Sequence, residues 1–172
     1  DPTRYIALMG VAKLGGSEAA PMLTPFLKDK SWMIRSGALR ALSALRNPKT
    51  STSVLPLLND PALVVRLEAV EAVSQLQPTG AADALFETLS RGNNYHGGKA
   101  QWVPQKALAA LATLRAREFA PRLKPLLDHQ NDPDLQKQTI ATLETLTGKN
   151  LLREAPLSDR VREWKLALSA KQ

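Results

Sequence analysis

Asp60-Pro61-Ala62-Leu63-Val64-Val65-Arg66-Leu67-Glu68-Ala69-Val70-Glu71-Ala72-Val73-Ser74-Gln75-Leu76 is the stretch that decides the fold. Moved back by thirty-one positions, its Arg66, Ala69, Val70, Val73 and Leu76 fall on Arg35, Ala38, Leu39, Leu42 and Leu45, and Asp60 falls on Asp29. One more period back the same pattern reads Arg4, Ala7, Leu8, Val11 and Leu14. A fixed period of this size marks a solenoid, in which each supersecondary unit buries its apolar face only against its neighbours.

Each unit reads as two helices, A and B, separated by a short break. In the first full unit A spans about 18–28 and B about 32–45, closed by Asn47-Pro48 because proline cannot continue a helix. The second places A at about 51–59 and B at about 62–76, stopped by Gln77-Pro78-Thr79-Gly80. The third places them at about 81–91 and 101–114, and the fourth at about 118–128 and 133–147, with Gly148 as the C-terminal cap. Pro25, Pro56 and Pro125 share one column of the A helices, which predicts a repeated kink or a short helix that starts late. The chain opens on a B helix without its A partner, and this reads as a fragment of a longer solenoid or a processed product. The organisation expected is therefore repeats over 1–148 and a terminal cap over 149–172, with a last helix at about 159–170 in which Val161, Trp164, Leu166 and Leu168 offer apolar surface and Trp164 seals the final B helix.

Composition agrees with a layered helical core. Hydrophobic residues make up 44% of the 172 positions but aromatics only 5%, so Leu, Ala and Val carry the packing. No cysteine is present, which excludes disulfides, thiolate metal sites and a cysteine nucleophile; it suits an oxidising compartment such as the periplasm slightly better than the cytosol. No apolar run approaches the roughly 18 residues that span a bilayer. The formal charge of +7 invites acidic partners, and it is weighted toward the C-terminal half: residues 87–172 hold 14 Lys and Arg against 9 acids.

The two-helix unit, the proline in helix A, the turn aspartates Asp29 and Asp60, and the arginines six residues on, Arg35 and Arg66, together resemble HEAT repeats. The short period is most similar to the HEAT-like repeats first described in phycobilisome lyases. The resemblance covers about residues 3–147 and implies an all-α, right-handed solenoid. It also implies a structural ladder of Asp29, Arg35, Asp60 and Arg66 between neighbouring units. Gln136 and Pro104 stand in the arginine column of the later units, so the ladder is expected to fade there. Such repeats serve mainly as protein-binding scaffolds, and a few relatives carry chemistry.

Several residues stand out for function. The third unit carries seven extra residues, about 92–98, within a stretch holding Tyr95, His96, Lys99 and Trp102. Insertions in repeats map to exposed loops where binding is often placed, although a surface insertion with Tyr95 or Trp102 tucked back onto the helices is the alternative. Its glycines do not match a phosphate-binding loop. Helix B positions expected on a concave face form two columns, Met9, Arg40, Glu71, Ala109, Ala141 and Ile6, Gly37, Glu68, Lys106, Gln138. Arg40, Glu68, Glu71 and Lys106 make a mixed-charge patch suited to a polar protein surface. Tracking a nucleic-acid backbone needs successive cations, which neither column supplies. Trp32 and Trp102, at the starts of B helices, are expected to pack or cap. Arg115, Arg117, Arg122 and Lys124 form a basic cluster around the entry to the last A helix, which reads first as solvated surface and in the alternative as a contact for an acidic partner.

With only His96 and His129, neither in a His-Glu pair, no metal site or di-iron centre is expected, and no Ser-His-Asp set can be assembled. The expectation is a non-enzymatic protein-interaction scaffold without cofactor, metal or membrane span, whose protein partner the sequence does not name. Nucleic-acid binding, including glycosylase-like action, is the disfavoured alternative, and a regulatory or lyase-type subunit of a larger complex is the third.

Overall fold

A computed structural model describes residues 1–170. The chain is all-α in class and built of helical repeats, and its contacts divide it into two compact units, Asp1–Leu85 and the residues from Phe86 onward.

The first unit contains α1 (Pro2–Leu14), α2 (Ala20–Leu23), α3 (Trp32–Leu45) and α4 (Leu63–Leu76), with 3₁₀ segments at Ser17–Ala19, Thr24–Lys28 and Pro48–Asn59. The central helix α3 packs against α1 and α4, while Thr24–Lys28 lies on α3 and Pro48–Asn59 on α4. Leu8, Ile34, Leu39, Leu42, Val65, Val70 and Val73 are buried from three successive B helices. These are the columns that the thirty-one-residue period aligns. Each such side chain contributes roughly 1.5–3 kcal/mol by leaving water. Close approach of α1 to α3 depends on Gly37, where a Cβ would come within 2.8 Å of the Tyr5 ring. Gly37 is therefore a buried spacer, a correction to its expected place in an exposed column.

α5 (Ala81–Thr88) leads from the first unit into the second. The second unit continues with β1 (Tyr95–His96), β2 (Lys99–Ala100), α6 (Val103–Thr113), a 3₁₀ segment at Arg117–Asp128, α7 (Pro133–Thr147) and α8 (Leu157–Ser169). Here α7 is central, packing against α6, Arg117–Asp128 and α8. Leu108, Leu111, Leu123, Leu127, Leu135, Ile140 and Leu143 form its core. At the end of α7, Gly148 adopts φ 71° and its N–H donates to Glu144 O, the left-handed C-cap that glycine favours. Arg46 and Gln77 accept the same conformation after α3 and α4 with φ 48° and 46°.

The A segments depart from expectation. Instead of kinked α-helices at 51–59 and 118–128, the chain forms long 3₁₀ segments, Pro48–Asn59 and Arg117–Asp128. Prolines remove donors in both, at Pro56 and at Pro121 and Pro125. In the first, the hydroxyls of Thr50, Ser51 and Ser53 also donate to carbonyls three residues back, favouring the tighter turn. The B helices α3 and α7 keep the expected bounds.

In the terminal helix α8, Trp164 is 1% exposed and Val161 is buried, whereas Leu166 is 60% exposed and takes no part in the seal. Arg160 pairs with Glu144 at 2.9 Å, and Lys165 pairs with Asp128, fixing α8 on α7 and on Arg117–Asp128. No helix among the described residues is long and apolar enough to cross a membrane.

Candidate functional site

The inserted segment is folded. Tyr95 and His96 pair antiparallel with Ala100 and Lys99, and the turn between them is Gly97-Gly98, with φ 57° and 77°. Both positions are left-handed, the geometry of a tight hairpin turn that glycine adopts without a Cβ clash. The base of the hairpin is tied down within the second unit. Asn94, fully buried, donates its amide to Thr88 O at 3.0 Å, and the Tyr95 hydroxyl donates to Leu89 O. Asp132 accepts the Ala100 N–H at 2.7 Å with one oxygen and the Leu135 N–H at 3.0 Å with the other, so the residue that caps α7 also holds β2. The Tyr95 ring stacks on His129 with centroids 5.7 Å apart. Burial, with the Asp132 charge as a smaller contribution, pushes the Tyr95 hydroxyl up to about 12, so it stays a neutral donor.

Where β2 meets α6, Trp102 adopts φ 46° and ψ −37°, with the Val103 N–H directed back to Gln101 O. That is close to the γ-turn of positive φ, a strained conformation for a residue carrying a Cβ. Its consequence is orientation: Val103 enters the core and Trp102 is left 67% exposed. His96 and Lys99 are exposed as well. Trp32, where Ile34 takes the core position, is 49% exposed. Both tryptophans thus leave much of their surface in solvent, and Trp102 occupies the N-cap position of α6 without a side-chain cap hydrogen bond.

In the first unit the charges form rungs. Arg4 donates to Asp29, and Arg35 grips both oxygens of Asp60 at 2.6 and 2.7 Å while a third nitrogen donates to Asp29 O at 2.8 Å. Arg66, buried, donates to Asp60 O and Pro61 O at 2.8 and 3.0 Å. The Asp60 carboxylate holds the Arg35 guanidinium above its ordinary range, whereas burial pulls Arg66 down. Gln136 donates to Leu127 O at 2.8 Å, doing for α7 with a neutral amide what arginine does for α3 and α4. Pro104, buried near the start of α6, supplies no donor.

Of the mixed-charge residues, Arg40 and Glu68 meet at 2.8 Å between α3 and α4. Glu71 is exposed on α4 and accepts from Gln75 at 2.7 Å, and Lys106 is exposed on α6 in the other unit. The basic cluster is not uniform: Arg115 and Arg117 are exposed, Lys124 donates to Ser169 Oγ at 2.7 Å, and Arg122 lies over the Phe86 ring at 4.0 Å and near Phe119 at 4.9 Å. Asn94, Asp132 and the Arg122–Phe86 stack escaped the sequence reading. Gly97-Gly98 between short alternating segments was the signal available for the hairpin.

Among the described residues no group of three or more His, Cys, Asp or Glu is placed to hold a metal ion. The arrangement offers surfaces: an aromatic hairpin edge and a set of paired charges. No curated protein matches the chain. Residues 1–74 match the family described as HEAT repeats, which supports HEAT-like repeats over that part of the chain.

Proposed function

We propose that the chain is a non-enzymatic protein-interaction scaffold of the short-repeat HEAT type, with the hairpin of the second unit as its principal contact. The observation that carries this is Trp102. A large aromatic side chain held outward by a strained turn, on a hairpin anchored at Asn94, Tyr95 and Asp132, is a rigid anchor that loses little conformational entropy on binding. His96 and Lys99 add polar contacts beside it, and Arg40, Glu68, Glu71 and Lys106 supply secondary polar surface.

The test is affinity capture from the source cell on the immobilised chain, eluted in salt steps and repeated after nuclease treatment, with Trp102→Ala in parallel. Protein bands that survive nuclease and fade with Trp102→Ala are expected. Recovery of nuclease-sensitive material alone would overturn the scaffold reading in favour of charge-driven nucleic-acid binding. Bands indifferent to Trp102→Ala would remove the hairpin from the contact.

A further inference from the structure

Beside the hairpin the second unit contains an open cavity of about 400 Å³ lined by Phe86, Leu89, Tyr95, Arg122, Leu126 and His129, with Ser90 and Pro125 at its edge. The floor is Leu89 and Leu126, both buried, and the walls are the half-buried rings of Phe86, Tyr95 and His129. Tyr95 is there because the insertion folds as a hairpin, and its stacking on His129 joins two walls. A helix pair without the insertion lacks this side of the cavity.

The rim is cationic. Arg122 is exposed, its guanidinium carbon lies 4.0 Å from the Phe86 ring centroid and 4.9 Å from that of Phe119, and no carboxylate pairs with it among the described residues. The acids nearest in sequence to the lining are engaged by their own cations, Glu87 by Arg91 at 3.4 Å and Asp128 by Lys165. No Asp or Glu lines the cavity. Contact with the ring holds the exposed guanidinium at the rim, and its planar fork of donors can receive a carboxylate in two parallel hydrogen bonds.

From the apolar cavity and the unpaired guanidinium at its rim we propose that this is a docking site for a short acidic segment of a partner protein, with one large apolar side chain in the cavity and a neighbouring carboxylate on Arg122. The assignment rests on the scaffold reading and names the partner's chemistry. The volume lies near the lower end of ligand cavities, which suits an inserted side chain and its adjoining backbone. Charge complementarity selects an acid over a neutral or basic neighbour.

Three peptides and an oligonucleotide test it by backbone amide shifts: acetyl-Asp-Glu-Leu-Phe-Asp-Glu-amide, its Asn/Gln counterpart, a Gly-Gly version lacking the apolar pair, and a thymidine octamer. The acidic apolar peptide is expected to move the amides of Leu89, Ser90, Tyr95, Leu126 and His129. The neutral peptide, the Gly-Gly peptide and the Arg122→Gln chain should each lower that affinity by about tenfold or more. Arg122→Lys keeps the charge without the planar fork and should fall between. Arg122 is exposed, so unchanged amide positions in α6 and α7 will show that the variants remain folded. Equal binding of acidic and neutral peptides, shifts confined to other residues, or movement of these amides by the octamer alone would overturn the assignment. Trp102→Ala should leave the peptide shifts intact. Captured protein with a silent cavity would thus remove this site and spare the scaffold reading, while cavity binding with only nuclease-sensitive capture would do the reverse.

Discussion

The two units use an aspartate at the turn before a helix for different ends. In the first, Asp60 turns its Oδ1 to the Ala62 N–H and receives the Arg35 guanidinium from the preceding B helix on both oxygens. In the second, Asp132 caps α7 with one oxygen and receives the Ala100 amide of the hairpin with the other. The first arrangement fastens one repeat to the next. The second fastens an insertion to a repeat, and the preceding helix α6 has Pro104 in the column where α3 carries Arg35, so it sends no guanidinium to the carboxylate. Without an ionic rung, the Asp132 carboxylate is taken up instead by the Ala100 amide of the hairpin.

The largest effect expected from breaking this contrast is at Asp60. It is 6% exposed, and its removal leaves Arg35 half-buried and unpaired, so Asp60→Ala should cost about 3 kcal/mol in urea unfolding of the full chain. Replacing Arg35 and Asp60 together by Met and Leu should cost less than Asp60→Ala alone, because no charge is stranded. A double variant as damaged as the single one would mean the rung is not what joins α3 to α4.

Next is Asp132→Ala, which removes a helix cap and a hydrogen bond to the hairpin at a cost of about 2 kcal/mol. Its distinctive readout is local: hydrogen exchange should accelerate at Ala100 and Gln101 while the amides of α3 keep their protection. Exchange that rises equally throughout would show that Asp132 serves only global stability.

The sequence disclosed the repeating part of this contrast more fully than the inserted part. Apolar spacing placed α3 and α7 at their observed bounds, because Ile34, Leu39 and Leu42, or Leu135, Ile140 and Leu143, recur with the helical period. It did not distinguish α from 3₁₀ at Pro48–Asn59, since that choice depends on which carbonyl the hydroxyls and remaining N–H groups select. The site was legible as an insertion with aromatics and no further. Tyr95 and His129 are distant in sequence, and stacking between them comes from tertiary structure. The outward turn of Trp102 follows from one backbone conformation that residue type disfavours.

A pH titration sharpens the hairpin side. The folded state raises the Tyr95 hydroxyl from 10 to about 12, so it favours the protonated form. Its contribution is complete below pH 10 and is lost as pH rises through about 12. Hairpin exchange should accelerate in that window, and Tyr95→Phe should abolish the dependence while losing the bond to Leu89 O.

The smallest effect belongs to the outermost rung, Arg4 to Asp29. Arg4 is about half exposed, so solvent screening leaves Arg4→Ala a cost far below that of losing the enclosed Arg35–Asp60 pair. The spectroscopic consequence is clearer than the energetic one. The Arg4 hydrogen bond, followed by the Ser31 N–H, holds the Asp29 carboxyl below its ordinary value of 3.8. A lowered folded value stabilises above the unfolded one and is lost as pH falls, so this contribution should vanish on acidification from about pH 4 downward. A carboxyl-detected titration of Arg4→Ala should move Asp29 back upward without returning it fully, because Ser31 still donates at 2.9 Å. An Asp29 titration unmoved by the substitution would show that the turn backbone alone sets its charge, and that the interlocking of repeats begins at Arg35.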